Sequence, residues 1–132
     1  MKILHRDIKS ANIFVSNGVY KLGDLNVSKI QDPQARLAYT QTGTPNYASP
    51  EVWRDSPYDE KSDVWSLGCV LYELCTGRPP FKGKDLEQLF RSVQKGEYSP
   101  IPIQYSKDLV KFIGNCLQKK AVYRPSCETM LM

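Results

Sequence analysis

His5-Arg6-Asp7-Ile8-Lys9-Ser10-Ala11-Asn12 is the stretch around which the rest of the chain organises itself. Counted from Asp7, it sets a carboxylate, an ammonium and a carboxamide at offsets of zero, two and five. An Asp accepts a proton from an alcohol, a Lys two residues on neutralises a transferring phosphoryl group, and an Asn offers its carbonyl oxygen to a hard cation such as Mg²⁺. These groups together suit phosphoryl transfer; a polar turn between two elements is the bland alternative. His5, the lone histidine, reads as packing and hydrogen-bonding support for the loop.

Downstream, Ile13-Phe14-Val15 and Val19-Tyr20-Lys21-Leu22 are short β-prone runs joined across Ser16-Asn17-Gly18, and Asn-Gly is a strong hairpin signal. Gly23-Asp24 closes the hairpin with an oxygen donor. From Val27 to Thr44 periodicity gives way to Gln, Thr, Asp and Gly, the composition of a long surface loop of the functional kind. A helix is expected to begin at Lys61 or Ser62 and to stop at Gly77 before Pro79-Pro80; Val64, Trp65, Leu67, Val70, Leu71 and Leu74 spread around it, which marks it as buried on most sides. Gly68 would admit a close neighbour. Asp85 to Lys95 predicts a second, amphipathic helix, Ser99 to Gln104 an extended connector, and Ser106 the N-cap of a third helix with Leu109, Val110, Phe112, Ile113 and Leu117. A final helix follows Tyr123-Arg124-Pro125-Ser126.

At 132 residues there is one domain's worth of chain, enough to bury about two thirds of its unfolded surface. The formal charge of +4 is mild and the basic residues are scattered, which argues against nucleic-acid and membrane-surface partners. Cys69, Cys75, Cys116 and Cys127 lack Cys-x-x-Cys spacing and sit in apolar helical patterns, so reduced, buried thiols in a reducing compartment are expected. No leader and no apolar run near the roughly 18 residues of a membrane span is evident, so no membrane insertion is expected.

The motif at 5–12 resembles the catalytic loop of protein kinases, H-R-D-x-K-x-x-N, with every fixed position filled. Gly23-Asp24-Leu25-Asn26 stands where kinases carry Asp-Phe-Gly; Asp24 is retained, while Leu25 and Asn26 depart from the pattern. Gly43-Thr44-Pro45-Asn46-Tyr47-Ala48-Ser49-Pro50-Glu51 resembles the stretch ending in Ala-Pro-Glu, with Ser49 for Ala, and Asp63-Val64-Trp65-Ser66-Leu67-Gly68 the central-helix motif. The wording is most similar to the NIMA-related serine/threonine kinases.

This resemblance implies a mainly α fold: the C-terminal lobe of the protein kinase-like fold, with a small β-hairpin beside the catalytic loop. It divides 1–132, a partial kinase domain, into a catalytic loop at 5–12, an activation segment at 24–51 and a helical scaffold at 61–132. It implies ATP and Mg²⁺ as cofactors, with Asp7 the base, Lys9 the phosphate cation, and Asn12 and Asp24 the metal ligands. Thr44 and Lys9 point to Ser/Thr specificity; Arg6, with Lys29, would pair a phosphate on the loop, for which Thr40 and Thr42 are the candidates and Tyr39 a further hydroxyl. Glu51 and Arg124 would form a buried architectural pair, and Asp63 would hold the backbone N–H groups of the catalytic loop, its alternative being a first-turn acid that complements the helix dipole.

Within these residues there is no Gly-x-Gly-x-x-Gly loop, Val-Ala-x-Lys strand or partner Glu. The expectation is therefore a kinase fragment that lacks its N-terminal lobe, inactive alone, with part of the central helix uncovered and prone to associate. Protein substrates and ATP are the implied partners, and the cytoplasm, with cytoskeletal association, the implied location. The competing reading is a pseudokinase or a partner-binding module without catalysis.

Overall fold

The structure is a computed structural model and describes residues 3–24 and 45–132. Strands β1 (Ile13–Ser16) and β2 (Val19–Leu22) pair antiparallel, Ile13 opposite Leu22 and Val15 opposite Tyr20. Asn17 and Gly18 take φ of 52° and 73°, the two left-handed positions that a type I′ turn requires. The turn is therefore two residues long and Ser16 belongs to β1, one residue beyond the expected strand end. Side chains alternate across a strand, so Ile13, Val15, Tyr20 and Leu22 share one apolar face. That face is largely open: Val15 is 63% and Tyr20 70% exposed.

A single helical turn, α1 (Pro50–Trp53), leads through a short connection into the long helix α2 (Glu60–Thr76). Helix α2 starts at Glu60, one residue before the earlier expected limit, because the Asp59 carboxylate caps it, accepting from the N–H groups of Lys61 (2.9 Å) and Ser62 (3.3 Å). It ends where expected. Gly77 adopts φ 72° and donates its N–H to the Glu73 carbonyl at 2.7 Å.

Burial extends around most of the circumference of α2, as expected, and leaves one stripe open. Val64, Trp65, Cys69, Val70 and Tyr72 are buried, whereas Leu67 and Leu71 are half-buried and Leu74 is 62% exposed. Those three leucines lie at helical spacing on one stripe, and among the described residues the packing helices cover the other side. Helices α3 (Leu86–Lys95), α4 (Lys107–Cys116) and the short α5 (Cys127–Leu131) are capped by Asp85, Ser106 and Ser126, whose side chains accept from Gln88, Leu109 and Thr129 N–H groups. Leu89 and Val93 point inward from α3 and Ile113 and Cys116 from α4, while Leu86 and Val110 face solvent despite their place in the apolar pattern.

The core is aromatic at its centre. Trp65 stacks on Phe81 with centroids 5.2 Å apart, and Tyr98 meets both Tyr72 and Phe81 edge-on; such pairs contribute about 0.5–1.5 kcal/mol each beyond area burial. Helix α4 comes close to α2 at Gly68, where a Cβ would lie 2.7 Å from the Cβ of Cys116 and 3.0 Å from Leu117 Cδ2. Gly68→Ala should therefore destabilise the fold by about 1–3 kcal/mol through overpacking, although Ala is the better helix former. A denaturant titration checks it, and an unchanged midpoint would mean that α4 slides away at no cost.

All four cysteines are free, but only Cys69 and Cys116 are buried. Cys75 is half-buried and Cys127, at the start of α5, is exposed, against the expectation of four buried thiols. Burial pushes the Cys69 thiol far up and that of Cys116 up to about 11, so both are inert toward oxidation at neutral pH. No helix among the described residues is long and apolar enough to cross a membrane.

Candidate active site

The first turn of α2 reaches back to the 5–12 loop. Asp63 accepts the His5 N–H at 2.8 Å through Oδ2 and the Arg6 N–H at 3.0 Å through Oδ1. Arg6 adopts φ 68°, a left-handed conformation that costs about 1–3 kcal/mol in a non-glycine residue and persists only where its surroundings hold it. Asp63 is what holds it, and the bend brings Asp7 out beside Lys9.

His5 is buried and closes the other side of the loop. Its Nδ1 accepts from the Asp7 N–H at 3.2 Å, so the proton assigned from this network sits on Nε2, which donates to the Gly23 carbonyl at 2.9 Å. A turn of 3₁₀ helix, Ser10–Asn12, then folds Asn12 back over the loop. The Asn12 amide donates to the Asp7 carbonyl (2.8 Å) and to Asp7 Oδ2 (3.1 Å), and Lys9 Nζ lies 3.2 Å from that same Oδ2. Gly23 N–H donates to the Asn12 carbonyl at 2.8 Å. Gly23 is thereby held from both sides, and Asp24, the next residue, leaves the hairpin exposed at φ 57°.

Asp7, Lys9 and Asn12 thus contact one another directly, and His5, Asp63 and Gly23, the residue before Asp24, hold the loop that carries them. Because the Asn12 amide nitrogen points to Asp7, its Oδ1 is the acceptor left over, and no described residue donates to it. The described residues contain no cluster of three or more His, Cys, Asp or Glu side chains fit for a metal. A carboxamide and a carboxylate oxygen do suit an ion that keeps waters and phosphate oxygens for most of its shell, as Mg²⁺ does.

A second network ties the 45–51 stretch to the scaffold. The Tyr47 hydroxyl donates to Glu73 Oε2 at 2.6 Å and shares a 3.0 Å bond with Ser10 Oγ, while Ser66 Oγ donates to the Tyr47 carbonyl at 2.8 Å. Burial, then the Glu73 carboxylate, raise the Tyr47 phenol above its ordinary range. Further along, Arg124 is 2% exposed and clasps Glu51 with two bonds, Nη1 to Oε1 at 2.6 Å and Nη2 to Oε2 at 2.8 Å.

Residues 1–132 match the protein kinase domain family throughout. The chain belongs to the protein kinase family. Among its relatives, this kinase chain is 46% identical over 132 residues to serine/threonine-protein kinase Nek5 of Homo sapiens, covering 98% of the chain and 19% of that protein. It is 41% identical over 131 residues to serine/threonine-protein kinase Nek3 of Mus musculus, covering 98% of the chain and 26% of the relative. It is 40% identical over 132 residues to the G2-specific protein kinase nimA of Emericella nidulans, covering 99% and 19%. The kinase chain thus spans between 19% and 26% of the length of these relatives.

Leu25, Asn26, Lys29, Tyr39, Thr40, Thr42 and Thr44 lie outside the described residues. Sequence reasoning assigned nothing to Tyr47, Glu73 or Tyr58, although the first stands inside a motif it quoted. Their partners are 37, 26 and 5 residues away along the chain, and none of these is a spacing at which helical periodicity points to a contact.

Proposed function

We propose that these residues are the part of a serine/threonine protein kinase that runs from the catalytic loop onward, with the loop at 5–12, the activation segment at 24–51 and the helical scaffold at 61–132, completed by a nucleotide-covering lobe. The observation that carries this reading is the state of the Asp7 carboxylate. Its Oδ2 is engaged by Lys9 Nζ at 3.2 Å and Asn12 Nδ2 at 3.1 Å, and no described residue donates to Oδ1. Asp7 Oδ1 is thereby left to accept the proton of a substrate serine or threonine hydroxyl, while Lys9 offers its charge to the transferring phosphoryl group.

Asn12 Oδ1 and the Asp24 carboxylate would hold Mg²⁺. When bound, MgATP supplies the phosphoryl group with its negative charge already partly neutralised. His5 and Asp63 contribute by fixing the backbone, so that base and metal donors keep their separation without reorganising at the moment of transfer. ATP and a hydroxyl-bearing protein are the partners of this chemistry, and the cytoplasm its setting. Incubating the complete kinase domain with ATP and a peptide mixture, followed by phosphoamino acid analysis, should yield phosphoserine or phosphothreonine. Phosphotyrosine alone would overturn the specificity, and no product at all would favour a binding module.

The regulatory phosphate belongs, on this reading, at Thr40, with Thr42 as the alternative, where it would pair with Arg6 and Lys29 in charge-assisted bonds. Phosphopeptide mapping of active enzyme should find it. Absence of phosphate across 24–51, together with full activity of the Thr40→Ala/Thr42→Ala protein, would remove this switch.

A further inference from the structure

We propose that Tyr58 is a positioning residue of the catalytic loop, acting on Arg6 from two directions at once. Tyr58 lies in the connection between α1 and α2, five residues before Asp63, and its hydroxyl donates to Asp63 Oδ1. This is the oxygen that accepts the Arg6 N–H at 3.0 Å. The Tyr58 ring also lies under the guanidinium of Arg6, with Cζ 5.8 Å from the ring centroid, within cation–π reach. One side chain therefore fixes both the carboxylate that anchors the Arg6 backbone and the cation at the far end of Arg6.

Arg6 needs such a clamp. At φ 68° it sits in a conformation from which an unrestrained residue relaxes, and relaxation would rotate the peptide that carries Asp7. Oδ2 of Asp63 is occupied by His5 N–H at 2.8 Å, so the Tyr58 hydroxyl is what completes Oδ1 and stops the carboxylate from rocking toward His5. Loss of the hydroxyl leaves the ring and the fold in place but loosens the Asp63 carboxylate, and the misplacement appears at Asp7. Loss of the ring also removes the aromatic face from the Arg6 guanidinium, which is the group proposed above to receive the activating phosphate.

This inference rests on the kinase reading, and one set of measurements separates the two. In the complete kinase domain, Tyr58→Phe should lower kcat about tenfold, the scale expected for one hydrogen bond to a charged group, with KM for ATP and peptide and the melting temperature held. Replacing Tyr58 by 4-aminophenylalanine, which restores an N–H donor at that place, should recover most of the turnover. Tyr58→Leu should further weaken the response to activating phosphorylation. In amide exchange, the Arg6 and Asp7 N–H groups should exchange faster in Tyr58→Phe while Ile113 on α4 is unaffected. Unchanged kcat in Tyr58→Phe, or a fall in kcat matched by equal losses in KM and melting temperature, would overturn the positioning role. If Tyr58→Phe does not fold, the 4-aminophenylalanine protein decides: native turnover supports the proposal, and a tenfold loss in a stable protein overturns it. An inactive parent domain would instead count against the kinase reading itself.

Discussion

Asp7→Asn in the complete kinase domain should lower kcat by about 10²-fold or more with little change in KM for ATP, the loss typical of a removed general base. The substitution keeps the shape of the side chain. It also leaves the loop's frame intact, because Asp63 grips the backbone at His5 and Arg6 and the Asn12 amide donates to the Asp7 main-chain carbonyl as well as its side chain. What disappears is the ability to accept a proton. Lys9→Ala should act in the same direction through the lost cation. Steady-state kinetics of the two variants beside the parent test this, and near-native turnover of Asp7→Asn would remove the base from the mechanism.

The second large effect is on stability. Glu51→Ala and Arg124→Ala should each cost about 3–5 kcal/mol, and the double variant far less than their sum, because each single change strands a buried charge. Arg124 uses its whole fork: Nε donates to the Gln118 carbonyl at 2.7 Å, Nη1 to Glu51 and the Lys61 carbonyl, and Nη2 to Glu51 and the Lys119 carbonyl. Its Cζ lies 5.0 Å from the centroid of the Trp65 ring. Removing Arg124 therefore takes a donor from three carbonyls as well as from the carboxylate, whereas removing Glu51 leaves those carbonyl bonds in place; Arg124→Ala should be the worse of the two. Denaturant titrations of the four proteins give the coupling, and additive losses would mean that the pair does not interact.

The same pair makes stability depend on pH with a definite sign. Burial pushes the Glu51 carboxyl up, but the bonds and charge of Arg124 outweigh it, so the group ends below the ordinary carboxylate range. Its contribution is present above the unfolded value and is lost as pH falls through the lower, folded value. Acid should thus cost the parent protein stability that Glu51→Gln has already forfeited.

How far the sequence could be read depended on the range of each interaction. The hairpin, the cap at Ser106 and the stop at Gly77 are set within a few residues and were legible, apart from a one-residue shift where Asp59 proved to be the cap. The apolar content of α2 was legible too, but not its exposure. Leu74 follows the same helical pattern as Val70, yet only tertiary packing decides which of them is covered. In the candidate site, residue types and spacing pointed to Asp7, Lys9 and Asn12, and the family resemblance to Asp24. The ties that hold them, from Asp63 to Arg6 and from His5 to Gly23, bridge 57 and 18 residues and could be anticipated only through a family resemblance. The Tyr47 to Glu73 bond has no periodic signature and was missed.

The 73 residues that separate Glu51 from Arg124 also impose an order of events during synthesis. At ~5–20 residues per second, a ribosome takes roughly 4–15 s to travel from one to the other. Throughout that interval α2 can coil, but the ring of Trp65 has no guanidinium over it and the Glu51 carboxylate stays hydrated. A nascent chain halted before Arg124 would display that unfinished surface, an indole beside an unpaired acid, to the folding machinery of the cell. The last step in closing that surface is therefore the arrival of a single late arginine.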